Sequence, residues 1–89
     1  MKMSQNDRII RKPEVMALLG LSKSTVHERI NAGLLLPPFQ LGCRAVGWLE
    51  SEILQLMVAM AAGICDELLV DLNQYLLEER QRLWAELRK

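Results

Sequence analysis

The side chains with the clearest chemistry stand close together in the first part of the chain. Lys23, Ser24, Thr25, His27 and Asn31 fall within nine residues. Steps of 100° per residue place Ser24, His27, Glu28 and Asn31 on one helix face, with Lys23 and Thr25 toward its edges. Hydroxyl, imidazole, amide and ammonium groups at that spacing can bond to base edges or phosphates. Lys23 lies at the N-terminal end, where recognition helices approach bases and where a helix also attracts phosphate. Arg44, with Arg8, Arg11 and Lys12 upstream, adds positive charge for a phosphate backbone. Catalysis is poorly served by comparison. The chain has one histidine, no glycine-rich phosphate loop and two cysteines without metal-ligand spacing. Cys43 with His27 is then the one nucleophile–base combination, with no enclosed pocket expected around it. No enzyme activity, cofactor or metal is expected. Plainer roles are also open to these side chains: a surface imidazole for His27, and for Arg29 a pairing with Glu28 or another acid. Cys65 is expected to be a small buried apolar residue.

Such groups need elements to hold them, and local signals supply a set. Pro13 suits a first helical position, Glu14 favours the helix N-terminus, Val15, Leu18 and Leu19 make an apolar face, and Gly20 stops the helix over residues 13–19. Ser22 is a good N-cap, Leu21 can staple onto Val26, and Val26 with Ile30 face inward on a helix over residues 22–32 that Gly33 ends. Two helices separated only by residues 20–22 predict a helix-turn-helix. Pro37 and Pro38 forbid further helix. Residues 39–41 and 45–48 then read as strands around Gly42-Cys43-Arg44, a hairpin wing tipped by Arg44. Residues 8–11 read as a short extended lead-in.

The rear of the chain reads as helix. Residues 50–62 carry a wide apolar surface in Ile53, Leu54, Leu56, Met57 and Met60, with Gly63 a bend or stop. A further helix is favoured by Asp66 and Glu67 at its start and by Arg88 and Lys89 at its end. Leu69, Leu72, Leu76, Leu83 and Leu87 follow helical spacing, with Glu78 and Arg82 placed as an i,i+4 pair. Glu79 and Arg80 interrupt the stripe, so it is an imperfect coiled-coil seam. It suits dimerisation, burial against its own domain, or a partner protein.

Composition bounds the remaining classes. The chain of 89 residues is 51% hydrophobic and 25% charged, with 5 Gly and 3 Pro, which excludes disordered, collagen-like and proline-rich chains. A chain of this size buries roughly 60–65% of its unfolded surface, making a second copy plausible as a stabiliser. Net charge is zero, yet residues 1–49 sum to +4 and residues 50–89 to −4, a basic front and an acidic rear. The longest apolar stretch, residues 53–65, is thirteen residues and includes Gln55 and Gly63, against about 20 for a membrane span. Residues 1–7 are polar and expected to be flexible, with no apolar signal segment, so a cytoplasmic location is expected.

The ordered series of helix, glycine turn, capped helix and basic-tipped hairpin carries a family resemblance over residues 8–53. The carrying residues are Arg11 to Val15, Leu19-Gly20-Leu21-Ser22-Lys23-Ser24-Thr25-Val26, Ile30 and Gly33. A second block follows in Pro37-Pro38-Phe39-Gln40-Leu41-Gly42, Arg44-Ala45-Val46-Gly47-Trp48 and Glu50-Ser51-Glu52-Ile53. This pattern resembles AlpA-like phage regulatory proteins, close to small excisionases and built on a MerR-type winged-helix plan. It departs at His27, where an aromatic is common, at Glu28, where a base is frequent, and at Cys43, where glycine is common. The resemblance implies a mainly α fold with a small β-hairpin wing, a MerR-like winged helix-turn-helix over residues 1–62. Residues 63–89 would form a C-terminal helix for dimerisation or partner binding. It implies a sequence-specific binder of double-stranded DNA that regulates transcription or directs excision by an integrase. The alternative is a protein–protein interaction module whose acidic, Leu-striped tail binds an integrase or other partner.

Overall fold

The computed structural model describes residues 7–88, so of the flexible start expected over residues 1–7 only Asp7 is described, and Lys89 lies outside the described residues. The chain runs β1 (Ile9–Ile10), α1 (Lys12–Leu19), α2 (Lys23–Asn31), β2 (Phe39–Gly42), β3 (Ala45–Leu49), α3 (Glu50–Ala61) and α4 (Asp66–Leu87). The mainly α fold with a small hairpin wing is as expected.

The helix-turn-helix forms for the local reasons the sequence offers. Pro13 lies in the first turn of α1, where its missing N–H has no intrahelical partner to lose. Gly20 closes α1 with φ 66°, a left-handed geometry that glycine adopts without the Cβ penalty, and Leu21 N–H bonds back to the Met16 carbonyl at 3.1 Å. Two residues later the Ser22 hydroxyl caps α2 by accepting from Thr25 N–H at 3.3 Å. The turn is therefore short because one helix is capped almost where the other ends.

The lead-in strand does more than expected. Ile9 and Ile10 pair antiparallel with Leu49 and Trp48, so the wing is the outer part of a three-stranded sheet in the order β1-β3-β2. On the other side β3 pairs with β2, Phe39 opposite Gly47 and Gln40 opposite Val46, with an irregularity before Gly42 meets Ala45. Gly47 is central to this arrangement. A Cβ there would stand 2.7 Å from Ile9 Cγ2 and 3.0 Å from the Ile10 carbonyl oxygen, so only glycine lets both neighbours close in. Asp7, at the flexible end by expectation, instead caps α3. Its Oδ1 accepts from Ser51 N–H at 3.0 Å and its Oδ2 from the Ser51 hydroxyl at 2.7 Å.

One core joins every element except β2: Ile10, Val15, Val26, Leu35, Leu36, Trp48, Ile53, Leu56, Leu69 and Leu76. Trp48 is fully buried, and its indole N–H donates to the Leu36 carbonyl at 2.8 Å, tying the central strand to the linker after α2. The division expected at residues 62 and 63 falls in the turn between α3 and α4, but the core crosses it.

Arg80, read from sequence as an interruption, is a cross-link. Its Nε and Nη2 donate to Glu52 Oε2 and Oε1 at 2.7 and 2.8 Å, and its Nη1 to the Pro37 carbonyl at 3.1 Å. Its guanidinium lies 5.1 Å from the centroid of the Phe39 ring. The expected Glu78–Arg82 pair is replaced, since Arg82 bonds Glu79 at 2.7 Å and Glu86 at 2.8 Å, one turn back and one turn on. The hydrogen bond from Arg82 holds the Glu79 carboxyl below the usual carboxylate range. Cys65, expected to be buried, is exposed at the N-cap of α4.

Removing one partner of a buried pair leaves a buried charge. Arg80→Met should lower unfolding free energy by about 3–5 kcal/mol in urea melts, with the double variant Arg80→Met/Glu52→Leu recovering much of the loss. A single variant within about 1 kcal/mol of the parent would show that this cross-link carries no such constraint.

Candidate nucleic-acid interface

Burial on α2 is one-sided. Val26 is fully buried and Ile30 packs against the core, which turns Lys23, Ser24, His27, Glu28 and Asn31 outward, all exposed. Lys23, His27 and Asn31 are spaced four apart and so form one ridge along this face, with Ser24 and Glu28 on the next. Thr25 is half-buried, and its hydroxyl lies 2.9 Å from the capping Ser22 hydroxyl, so part of its hydrogen-bonding capacity is engaged in the cap. Ser24 Oγ stands 3.3 Å from the same hydroxyl. The entry to the ridge is thus a cluster of three hydroxyls around the first turn of α2.

The start of α1 meets the middle of this face. Lys12 Nζ lies 2.9 Å from His27 Nε2, joining two residues that the sequence offers separately as DNA contacts. They are fifteen positions apart in sequence, and no local spacing signals the contact. Arg11, the N-cap of α1, is exposed beside them in the chain. Arg8 is withdrawn from this basic group. It pairs with Glu50 at 2.8 Å and with Glu14, and both carboxylates, Glu50 first, raise its pKa. Arg29 is half-buried and, among the described residues, forms no ion pair, so the pairing with an acid expected for it is absent.

Arg44 stands at the exposed tip of the wing, in the two-residue turn with Cys43. Its φ of 62° makes it the one non-glycine residue in left-handed backbone among the described residues. Arginine holds that conformation at a cost glycine would avoid.

The leucine stripe of α4 divides in two. Leu69 and Leu76, expected in a dimer seam, are instead buried in the chain's own core, and Leu72 packs against it. Leu83 is half-buried and lines a small cleft with Leu49 and Arg80. Beyond it the core ends while the helix continues, leaving Trp84 57% and Leu87 74% exposed. Between α3 and α4, Leu54, Val58, Ala62, Ile64 and Leu72 line an open apolar groove of about 520 Å³. No group of three or more His, Cys, Asp or Glu among the described residues could hold a metal ion. No helix among them is long and apolar enough to cross a membrane.

Comparison with known proteins places this arrangement. The family model described as Prophage CP4-57 regulatory protein (AlpA) matches residues 8–59, from β1 into α3. The uncharacterised protein ORF88 of Enterobacteria phage P4 is 46% identical over 57 residues, 64% of this chain and 65% of that relative. The chain therefore matches just under two thirds of that protein's length. No solved structure matches the chain.

The cap that begins the exposed face is itself testable. Ser22→Ala should cost about 0.5–2 kcal/mol of stability by thermal or urea melting, while Ser22→Asp should keep most of it. Equal losses in both variants would mean that the Ser22 hydroxyl is not what starts α2.

Proposed function

The chain belongs to the AlpA family of prophage regulatory proteins, a regulatory rather than an enzyme family, and from that premise we propose that it binds double-stranded DNA sequence-specifically. In this reading it acts in the cytoplasm as a transcriptional regulator or an excisionase-like factor that sets the direction of recombination. The carrying observation is the outward ridge of α2, with Lys23, His27 and Asn31 in line and Ser24 beside them. A helix presented this way enters the major groove, where ammonium, imidazole, hydroxyl and amide groups reach base edges. Thr25 contributes through a hydroxyl shared with the cap. Arg44 on the wing, with Arg11 and Lys12 at the start of α1, meets phosphates on either side. Glu28 on the same face accepts from a cytosine amino group and disfavours a close phosphate, which narrows the site.

A second reading rests on the far end of α4. Trp84 and Leu87 extend the apolar stripe past the point where the domain's own core ends, a fit for a second copy or for an integrase. Deleting the tail would strip Leu69, Leu76 and Arg80 from the core, so point substitution is the usable probe. Trp84→Ala with Leu87→Ala should leave the melting curve near that of the parent. A halved mass in sedimentation with weaker DNA binding is expected for a dimer contact. Lost capture of an integrase with DNA binding intact is expected for a partner contact. Unchanged mass, DNA binding and integrase capture would remove this reading.

The primary reading is tested by fluorescence anisotropy with the chain's own upstream region and a scrambled duplex at several salt concentrations. Lys23→Ala should weaken binding to the native duplex roughly 5- to 100-fold and reduce discrimination. Arg44→Ala should weaken both duplexes and lower the salt slope by about 1. A confirmed site that neither substitution affects would show that the interface lies elsewhere on the molecule.

A further inference from the structure

The contact between Lys12 and His27 determines more than proximity. Lys12 opens α1 and is half-buried, whereas His27 is exposed on the ridge of α2, and Lys12 Nζ lies 2.9 Å from His27 Nε2. A lysine ammonium carries three donors and no acceptor, so this bond requires a lone pair on Nε2. In a neutral imidazole the single ring proton then resides on Nδ1, the less common tautomer of a free histidine side chain. Which nitrogen carries the proton is commonly set by the partner of the other one.

We propose that Lys12 is a positioning residue that holds His27 in its Nδ1–H tautomer, so that the recognition helix presents a fixed hydrogen-bond donor to an acceptor on DNA, either purine N7 or a phosphate oxygen. The DNA half of this inference rests on the reading given under Proposed function, and the tautomer half does not. Chemistry favours the assignment. With Nε2 occupied, the imidazole has no remaining in-plane lone pair, so it cannot accept from the adenine or cytosine amino groups that an unassigned histidine could also serve. The helix position thereby becomes selective for acceptors. The pairing also holds an α1 side chain against the middle of α2, so the ring is oriented from a second element rather than by its own helix alone.

The tautomer is read first, without DNA, from long-range ¹⁵N–¹H spectra of the His27 ring in mildly alkaline buffer. The parent should show a protonated Nδ1 and an unprotonated Nε2. Lys12→Met should move the proton to Nε2, and Lys12→Arg, which also only donates, should keep it on Nδ1. A parent ring protonated on Nε2 overturns the proposal, as does a proton that stays on Nδ1 in Lys12→Met. The DNA arm uses the upstream duplex with purines replaced singly by their 7-deaza analogues, and separately with single methylphosphonate linkages. One replacement should weaken the parent roughly 2- to 10-fold, the worth of one hydrogen bond, and leave His27→Ala unchanged. A 7-deaza position identifies purine N7, and a methylphosphonate position identifies a phosphate. If no replacement separates the parent from His27→Ala, the donor role is overturned. An Nδ1–H ring in a protein that binds no duplex would count against the DNA reading while leaving the Lys12 assignment standing.

Discussion

One ion pair fixes where everything else can lie. Glu52 is 3% exposed, and its carboxylate receives both the Nε and Nη2 of Arg80 while also accepting from Leu49 N–H at 3.2 Å. A carboxylate that far from water is tolerable only when its lone pairs are filled by close, well-aligned donors. Arg80 meets that need and spends its remaining capacity on the Pro37 carbonyl and the face of Phe39. Three segments therefore converge on one guanidinium, α3, the linker after the helix-turn-helix and the base of the wing, and the strand-to-helix corner is tied to the same Glu52 carboxylate. Its fork is planar and rigid, so it fixes angles as well as distances, and a lysine could not make the same set of bonds.

Two further ties extend this constraint to the candidate interface. The Trp48 indole bonds the Leu36 carbonyl, which anchors the far end of the segment whose near end leaves α2. Asp7 and Arg8 clamp the other side, Asp7 on the first turn of α3 and Arg8 between Glu14 of α1 and Glu50 of α3. The helix-turn-helix is thus held at both ends by polar contacts to α3 and β3. A domain this small has a limited apolar core, and directional bonds of this kind fix orientation where burial alone would leave latitude. For the proposed DNA reading, rigidity matters because base edges are read over fractions of an ångström, and loosely hung side chains discriminate poorly.

What the sequence made legible was mostly local. The two helices, the glycine between them, the Ser22 cap, the hairpin and the stop near Gly63 all rest on signals within a few residues, and the structure places each where its signal lies. The outward face of α2 was legible for the same reason, because Val26 and Ile30 fix its rotation. What sequence reasoning missed was non-local. Nothing near Ile9 says that it pairs with Leu49, forty residues on, and nothing near Arg80 names Glu52 as its partner. Arg80 looked like a flaw because helical periodicity counts apolar positions, and a buried charge is invisible to that count until its counter-charge is found. Cys65 was misjudged by the average behaviour of its type, whereas as the N-cap of α4 it lies in an exposed turn. Lys12 and His27 were each identified singly, but their contact depends on how α1 crosses α2.

The extent of the family match and the extent of the physical domain differ, and the difference is informative. The match ends at residue 59, within α3, yet Leu69, Leu76 and Arg80 complete the core and its central ion pair. A winged helix-turn-helix cut at the family boundary would expose the inner face of α3 and leave Glu52 without its cation. The rear helix is therefore a structural requirement before it is anything else. Carboxylates on α3 and α4 are drawn into pairs with Arg8, Arg80 and Arg82, while Lys23, Arg11 and Arg44 at the front meet no acid among the described residues. A chain of zero net charge thereby carries exposed bases at its front, with the acid Glu28 among them, while most of its acids lie in α3 and α4.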